Sequence, residues 1–316
     1  MSFDSQQHVI AVRGLTKKYG NLTAVSNVSF HVPKGGVFAF LGPNGAGKTT
    51  TVEIIETIRK PTAGTVHVLG MNVATHKRDV VRRIGVLPQN FASFDRLTVR
   101  ESIQYYASLF KANAGIDRLL SLTHLHEKQH AQFHTLSGGL RQRLGIAIAL
   151  VNDPEIVFLD EPSAGLDPSA RRTVWDALLG LKDHGKTVFL TTHYMEEAQL
   201  LADEIAIITN GRIAATGSPQ QLIDEHTSRM LVSLESVHHT VHQLLQDMKL
   251  DPLPDDQGNI SLRIKNTQQL SDILAAIKHA QLPMPDVEVR KPNLEEVFLS
   301  ITRTRPQPDL VKQDPS

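Results

Sequence analysis

A glycine-rich turn between an apolar run and a helix-like segment constrains this chain more than any other feature. The run Val37–Leu41 is strand-like, and the residues from Gly42 to Thr49 read G-P-N-G-A-G-K-T. This is the spacing G-x-x-x-x-G-K-T of a phosphate-binding P-loop. Glycine permits positive φ and a close backbone approach, and a helix N-terminus favours an anion. An ordinary strand-to-helix turn could match by chance, but the flanking strand and helix favour nucleotide binding.

The residue types within this turn have a chemical purpose. Lys48 would supply positive charge to the β- and γ-phosphates, and the Thr49 hydroxyl can ligate Mg²⁺. The residues predicted to contact the nucleotide here are Gly42, Pro43, Asn44, Gly45, Ala46, Gly47, Lys48, Thr49 and Thr50.

A second apolar run, residues 156–159, ends in two adjacent carboxylates. Asp160 could hold Mg²⁺ directly or through water, and Glu161 is placed to polarise an attacking water. The two residues could instead close a buried strand and face solvent. The P-loop upstream favours the catalytic interpretation.

A third element reads S-G-G at the start of a helix-like segment. Ser137 is a predicted N-cap, and Gly138 and Gly139 would expose backbone N–H groups to an anion. Capping alone could explain this pattern. However, a chain with one P-loop should not need two γ-phosphate sites, so we expect this helix end to contact a nucleotide held by another subunit.

Composition excludes several other classes of function. Lys plus Arg (33) balances Asp plus Glu (33), so no charge excess indicates nucleic acid or an anionic membrane surface. Cysteine is absent, which excludes disulfides and thiolate chemistry, and the 15 histidines show no metal-ligand spacing. The N-terminus lacks a signal-peptide pattern, and no apolar run approaches the roughly 18 residues of a membrane span. We therefore expect a protein that is soluble by itself.

Apolar patterning predicts an α/β fold in which strands and helices alternate. The predicted strands of the first part are residues 9–13, 22–26, 28–32, 37–41, 65–69, 84–87, 156–159, 187–191, 205–209 and 212–215, and the predicted helices are residues 48–58, 76–83, 99–125, 136–150, 171–184 and 196–202.

The motifs together resemble those of ATP-binding-cassette (ABC) ATPases, over nearly all of residues 9–218. The resemblance implies that Tyr19 stacks on adenine, that Gln89 senses Mg²⁺ and the membrane partner, and that His193 contacts the γ-phosphate. Taken alone, Tyr19 could be a turn-packing aromatic and Gln89 a polar loop residue. The motifs in family order are the aromatic Tyr19, the Walker A loop Gly42–Thr49, the Q-loop Gln89, the signature Ser137-Gly138-Gly139, the Walker B pair Asp160-Glu161, the D-loop Asp167 and the switch His193.

One position departs from the family pattern. The signature reads L-S-G-G-L, with Leu140 where the commonest form has Gln. This position is not one of the phosphate-facing backbone donors, so we expect the change to be tolerated.

The resemblance also implies a fold and a division into domains. Residues 1–220 would form a P-loop NTPase cassette, with a RecA-like core, an antiparallel β subdomain and a helical subdomain at about 90–150. Composition shifts after Gly217-Ser218-Pro219, and residues 221–302 are predicted to form a small α/β accessory domain. Residues 303–316, rich in Pro, Gln and Asp, are predicted to be disordered.

The resemblance implies the ATP-hydrolysing subunit of a membrane transporter, with ATP and Mg²⁺ as its cofactors. The expected partners are a separate transmembrane permease and a second cassette, of which a second copy of this chain is the simplest; no nucleic acid is expected. The permease would dock near residues 89–109 and hold the protein at the cytoplasmic face of the membrane. The ending K-P-N-L-E-E-V-F-L-S-I-T, residues 291–302, resembles subunits of drug- and antibiotic-efflux systems of the ABC-2 type, which favours export over import.

Two other classes of function remain as alternatives. A soluble ABC ATPase could act on ribosomes or nucleic acid, although such members usually carry two cassettes or a long coiled coil, and this chain has neither. A nucleotide-binding regulator without turnover is the second alternative, and intact Glu161 and His193 argue against it. The transported substrate, the identity of the second cassette and the task of the C-terminal domain are left open by the sequence.

Overall fold

The computed structural model describes residues 8–110, 115–226, 230–235, 239–255, 259–264, 267–290 and 292–303. The tail predicted to be disordered lies, apart from Arg303, outside the described residues. Two compact units divide the chain, residues 1–219 and 220–316.

The described residues of the first unit form two sheets. Its strands are β1 (His8–Tyr19), β2 (Leu22–Pro33), β3 (Val37–Leu41), β4 (Ala63–Val68), β5 (Met71–Asn72), β6 (Ile84–Leu87), β7 (Ile156–Asp160), β8 (Thr187–Thr192), β9 (Glu204–Thr209) and β10 (Arg212–Gly217). The central sheet has the order β10-β9-β3-β8-β7-β6, with every pair parallel except β10 with β9. The second sheet is antiparallel, in the order β2-β1-β4-β5.

Helices of the first unit follow or connect these strands. They are α1 (Lys48–Ile55), α2 (Lys77–Val81), α3 (Val99–Phe110), α4 (Ile116–Leu122), α5 (Gly138–Ala149), α6 (Pro168–Asp183) and α7 (Met195–Leu201). Because parallel strands are joined by crossovers, the carboxyl ends of β3, β7 and β8 meet at one edge of the sheet.

The central sheet is apolar on both faces, as expected for a covered parallel sheet. Alternate residues of β8 illustrate the two cores: Phe189 packs toward the antiparallel sheet, whereas Val188 and Leu190 pack toward the helices. The ring of Phe189 lies 5.3 Å from Phe38 and 5.8 Å from Phe40, centroid to centroid. This aromatic contact lies in the core that joins the two sheets.

In the second unit, the residues that the structure describes form a four-stranded antiparallel sheet with helices. Its elements are α8 (Pro219–His226), β11 (Met230–Glu235), α9 (His239–Asp247), β12 (Leu253–Pro254), β13 (Ile260–Ile264), α10 (Thr267–His279), β14 (Asp286–Arg290) and α11 (Leu294–Arg303), and the strand order is β12-β13-β11-β14. The Glu296 N–H donates to Asn293 Oδ1 at 3.0 Å, which caps the start of α11.

The α/β cassette fold predicted from the sequence is the fold observed. The differences are local. β1 and β2 are single long strands, whereas shorter runs were expected, and α1 ends at Ile55, three residues before the expected end. Thr57 has φ of +69°, a left-handed conformation that is incompatible with continued helix. Among the described residues, no helix has the length and apolar character needed to cross a bilayer.

The close packing of β6 on α5 gives a test of this architecture. A Cβ added to Gly85 would lie 1.9 Å from the backbone oxygen of Ala149, so Gly85→Ala should lower the free energy of unfolding by at least about 2 kcal/mol. At Gly180 on α6 the nearest atom would be the rotatable Leu122 Cδ1, at 3.2 Å, and Gly180→Ala should change stability by less than about 1 kcal/mol. Urea unfolding of the two variants would measure both values, and similar losses would contradict this packing.

Candidate functional site

The P-loop lies between β3 and α1 and needs glycine at defined positions. Gly45 and Gly47 have φ of +78° and +101°. A Cβ on Gly47 would lie 2.6 Å from the backbone oxygen of Ala24, and one on Gly42 would lie 2.3 Å from the backbone oxygen of Ile208. The glycines of the motif therefore meet both demands that predicted them, unusual φ and close approach.

Backbone hydrogen bonds connect this loop to neighbouring segments. The Gly211 N–H donates to the carbonyl of Ala46 at 3.0 Å, and the Ser26 N–H donates to the carbonyl of Gly211 at 2.8 Å. The hairpin turn between β9 and β10 thus connects the P-loop to β2. The hydroxyl of Thr51 donates to the carbonyl of Gly47 at 2.8 Å and adds a bond within the first turn of α1.

Lys48 is almost buried and folds over the loop that precedes it. Its Nζ donates to the carbonyl oxygens of Gly42, at 2.6 Å, and Pro43, at 3.1 Å. Burial lowers the pKa of Lys48, and the nearby carboxylates of Glu161 and Asp160 oppose this shift. The P-loop cation and the two carboxylates therefore share one electrostatic environment at the strand ends.

The structure brings three predicted catalytic residues into contact. The Glu161 carboxylate accepts a hydrogen bond from Gln89 Nε2 at 2.9 Å through Oε2, and its Oε1 lies 3.2 Å from His193 Nδ1. The Glu161 side chain is only 14% exposed. Its backbone has φ of +50°, and its N–H donates a hydrogen bond of 3.0 Å to the carbonyl oxygen of Thr191. Residues far apart in sequence thus orient one carboxylate.

Asp160 lies beside this group, at the end of β7, and accepts a hydrogen bond from the Thr191 hydroxyl. The residues predicted for Mg²⁺ are Asp160, Thr49 and Gln89. They offer a carboxylate, a hydroxyl and an amide oxygen, which are the hard oxygen donors that Mg²⁺ prefers, and Mg²⁺ commonly completes its shell with water and substrate phosphates. Among the described residues, no group of three or more His, Cys, Asp or Glu lies together in a way that could hold a metal ion.

Tyr19 lies at the end of β1 and is 40% exposed. Lys17 Nζ is 5.1 Å and Arg59 Cζ 5.8 Å from the centroid of its ring. These cation–π contacts hold an exposed aromatic side chain in place. A ring in this setting can stack on a base, as the resemblance implies.

The signature and D-loop residues lie at the starts of two packed helices. Ser137 caps α5 by accepting the Leu140 N–H at 3.4 Å, and Asp167 caps α6 by accepting the N–H groups of Ser169, at 3.0 Å, and Ala170, at 2.9 Å. In each cap a side-chain oxygen accepts backbone N–H groups of the same helix. The other N–H groups in the first turn of a helix, here α5, have no partner within the helix.

Packing also explains the small residues of the signature. A Cβ on Gly139 would lie 2.8 Å from the Cβ of Ala170, so glycine allows α5 to approach α6. Gly138 is exposed, and a Cβ there would have Leu166 Cδ2 as its nearest neighbour, at 3.4 Å. Leu140, the departure from the family pattern, packs against the core of the helical side.

Sequence reasoning missed Thr191, which holds both acidic residues. Its hydroxyl bonds to Asp160, and its carbonyl oxygen accepts the backbone N–H of Glu161. The available signal was the polar pair Thr191-Thr192 at the end of an otherwise apolar strand, directly before His193.

The family described as ABC transporter matches residues 25–164. A Nod factor export ATP-binding protein I of Ralstonia nicotianae is 43% identical over 93% of this chain and 94% of its own length. The daunorubicin resistance ATP-binding protein DrrA3 of Streptomyces coeruleorubidus is 36% identical over 93% of this chain and 95% of its own length.

Solved structures agree with this result. An ATP-binding subunit of an ABC transporter is 26% identical with a TM-score of 0.62, covering 69% of this chain and 92% of that one. A dimeric cassette in a post-hydrolysis state, bound to ADP and Pi, is 27% identical with a TM-score of 0.59, covering 66% of this chain and 98% of that one.

The fold and the P-loop site define a nucleotide-hydrolysing cassette. The chain belongs to the ABC transporter family, and it is an ATPase of that family that binds ATP and ADP. The predicted family, fold and enzyme class are therefore confirmed. The relatives support a role in a membrane exporter and do not favour a soluble ATPase that acts on ribosomes or nucleic acid.

The buried carboxyl of Glu56, at the end of α1, gives a pH-dependent prediction. Burial, followed by the charges of Asp160 and Glu53, raises the pKa of Glu56 to about 8. Between the ordinary pKa of a glutamate and about pH 8, the folded state thus binds more protons than the unfolded state. The free energy of unfolding therefore falls as pH rises through this range. Glu56→Gln should remove this loss and stabilise the protein by roughly 2 kcal/mol more at pH 8 than at pH 6.

Urea unfolding of the nucleotide-free chain at the two pH values would measure this difference. The exposed Glu127, which lies in the helical region, provides the control variant Glu127→Gln. A pH-independent effect of Glu56→Gln would contradict the raised pKa.

Proposed function

We propose that this ABC ATPase powers a membrane exporter by ATP-driven closing and reopening of a pair of cassettes. The contact of Glu161 with Gln89 and His193, beside the P-loop, carries the proposal. A carboxylate held between two polar side chains, close to a phosphate-binding loop, is suited to activating water for attack on a phosphoryl group.

The chemical roles follow from these positions. Lys48 and the N–H groups of the P-loop bind the phosphates of ATP, Glu161 accepts a proton from the attacking water, and His193 keeps that carboxylate oriented toward the γ-phosphate. When bound, Mg²⁺ would be held by Thr49, Gln89 and Asp160 and would neutralise phosphate charge.

The second cassette would complete the site. The start of α5, with Ser137 and Gly138, is exposed, and its backbone N–H groups can bind an anion. The P-loop of this chain precedes α1 instead, so the start of α5 is a separate anion-binding helix end. We infer that it contacts ATP held by the second cassette, with Asp167 at the same interface. Since each motif is intact, a second copy of this chain is the simplest partner. The dimeric form of a related cassette supports this pairing.

The surface after Gln89 is the proposed contact with the permease. Phe94, Tyr105, Leu109 and Phe110 are between 41% and 61% exposed, an unusual amount of large apolar surface on one short segment. The rings of Phe94 and Tyr105 meet edge to face with centroids 5.0 Å apart. Bound to a permease there, the chain would lie at the cytoplasmic face of the membrane.

The names of the relatives guide the proposed cargo. Those relatives are named for Nod factor export and daunorubicin resistance. By analogy, we infer export of a drug, an antibiotic or another small or lipid-like molecule, with the permease selecting it. The second unit, residues 220–316, is proposed as an accessory domain to the cassette of residues 1–219.

Removing the general base tests the proposed chemistry. Glu161→Gln should lower kcat for ATP hydrolysis by at least about 100-fold, because the amide cannot accept the proton from water. ATP binding should persist, and size-exclusion chromatography with ATP and Mg²⁺ should show an accumulated dimer. Glu155→Gln, at a partly exposed carboxylate that pairs with Arg83 just before the other end of the same strand, should keep the kcat of the unchanged chain, because a surface ion pair contributes little. Full activity of Glu161→Gln would contradict the assignment.

Capture of a partner tests the exporter role. Tagged Glu161→Gln with ATP should recover a polytopic membrane protein from detergent-solubilised membranes. Adding Phe94→Ser and Tyr105→Ser should lower that recovery at least about fivefold, because the apolar contact is lost. Leu200→Ser, an exposed apolar residue on α7, serves as the control. Recovery of ribosomal or other non-membrane partners alone would contradict the exporter role.

A further inference from the structure

One face of α6 carries two large side chains that the catalytic assignment does not use. Arg171 and Trp175 are four residues apart on this helix and therefore lie on the same face. Trp175 is 6% exposed, and its Nε1 donates to Oε1 of Glu197 at 2.8 Å. Glu197 belongs to α7, which begins directly after the loop that carries His193.

Glu197 is fully buried, which is unusual for a carboxylic acid. Burial raises its pKa, while the hydroxyls of Thr192 and Ser163, the indole of Trp175 and the charge of Arg171 lower it. Within the described part of the chain, no group makes a hydrogen bond of normal geometry to Oε2, so Thr192 and Ser163 lie near the carboxyl without bonding to this oxygen. The carboxyl thus lies between the two chain segments that leave β7 and β8.

Those two segments carry the catalytic pair. Ser163 follows Glu161 by two residues, and Thr192 directly precedes His193. The Thr192 hydroxyl also accepts the Tyr194 N–H at 3.0 Å and so shapes the loop around His193. The Glu197 carboxyl therefore lies against both the segment that follows Glu161 and the residue that precedes His193.

Arg171 makes a parallel connection. Its Nη2 donates to the carbonyl of Leu166 in the D-loop at 3.4 Å, and its Cζ lies 4.4 Å from the ring centroid of Tyr194. The Tyr194 ring in turn lies 4.1 Å from the ring of His193. The D-loop, α6 and the switch loop are thus joined by one continuous set of contacts.

We propose that Glu197 is a positioning residue for ATP hydrolysis, which acts with Trp175 and Arg171 to hold His193 against Glu161. The arrangement fixes the relation between the D-loop and the switch loop. A change at the D-loop, where a second cassette is proposed to bind, would be transmitted through α6 to the catalytic pair. The inference rests on the proposed roles of Glu161 and His193.

Burial of a carboxyl group is unfavourable for folding, because the group loses its solvation by water. An apolar side chain of similar size would avoid the desolvation penalty at this site. The adjacent Glu196 is exposed on the same helix, so acidic character at the start of α7 is supplied without Glu197. Positioning of the catalytic loop gives this buried acid a purpose that helix stability does not.

Trp175→Phe is the sharpest test, because it removes the indole donor and keeps an aromatic ring in the core. With the full-length chain, we expect kcat for ATP hydrolysis to fall about tenfold while KM for ATP stays within about twofold, since small misplacement of catalytic groups acts on the chemical step. Glu197→Leu should give the same split, and Glu197→Gln, which keeps the acceptor for Trp175, should restore most of kcat. Glu196→Gln is the matched control and should leave both constants unchanged.

Coupling to His193 separates positioning from general stability. In a His193→Ala background, Trp175→Phe should cause little further loss of kcat, because the residue it positions is already gone. Full multiplication of the two losses would overturn the proposal, as would a lowered melting temperature of Trp175→Phe with unchanged kcat. If His193→Ala and Glu161→Gln themselves kept full activity, the site assignment would be wrong. If these two variants lost activity and Trp175→Phe kept it, only the present inference would fail.

Discussion

The parallel pairing of β3, β7 and β8 is the constraint on which the rest of the site depends. Parallel strands bring their carboxyl ends to one edge, and each of these three strands continues into a functional segment: the P-loop, the acidic pair and the switch loop. A single residue of β8, Thr191, then fixes Asp160 through its hydroxyl and Glu161 through its carbonyl oxygen. The strand register that buries the sheet therefore also sets the distance between the cation of the P-loop and the carboxylates.

This arrangement concentrates like charge in a small volume. Asp160 and Glu161 are adjacent, Glu56 is buried near Asp160, and Lys48 is the cation whose pKa reflects both members of the acidic pair. Burial makes such a set unfavourable for folding, because charged groups lose solvation. A site of this kind is stabilised when phosphate ligands and their cation supply the missing partners. Stability and ligand binding are thus linked through the same carboxylates, and Glu56 is the member of the set whose protonation relieves the repulsion.

Most of the site was predictable because its chemistry lies in short contiguous motifs. The P-loop glycines, the carboxylates after an apolar strand and the capped start of α5 each carry a local signal. The roles of Gln89 and His193 were predicted from the family resemblance alone. Their contact with Glu161 was not predicted, since no local pattern shows that distant loops meet. Strand ends were harder: Lys17 and Lys18 interrupt the apolar pattern, yet β1 continues through them because its hairpin with β2 pairs up to Tyr19 and Leu22. Glu196 and Glu197 are identical in type and adjacent, so only the packing of α6 on α7 decides which one is buried.

That same packing connects the catalytic pair to the surface proposed to meet a second cassette. α6 begins at the Asp167 cap and contacts the signature helix through Ala170 and Gly139. The same helix contacts Tyr194 of the switch loop through Arg171 and Glu197 of α7 through Trp175. A helix that has interface residues at its start and contacts the catalytic loop along its side can transmit a change in subunit contact to the catalytic residues. A change in subunit contact would then act through α6 on the position of His193 beside Glu161. If hydrolysis follows closure of the two cassettes, the free energy of ATP binding would be available to move the proposed permease before ATP is hydrolysed.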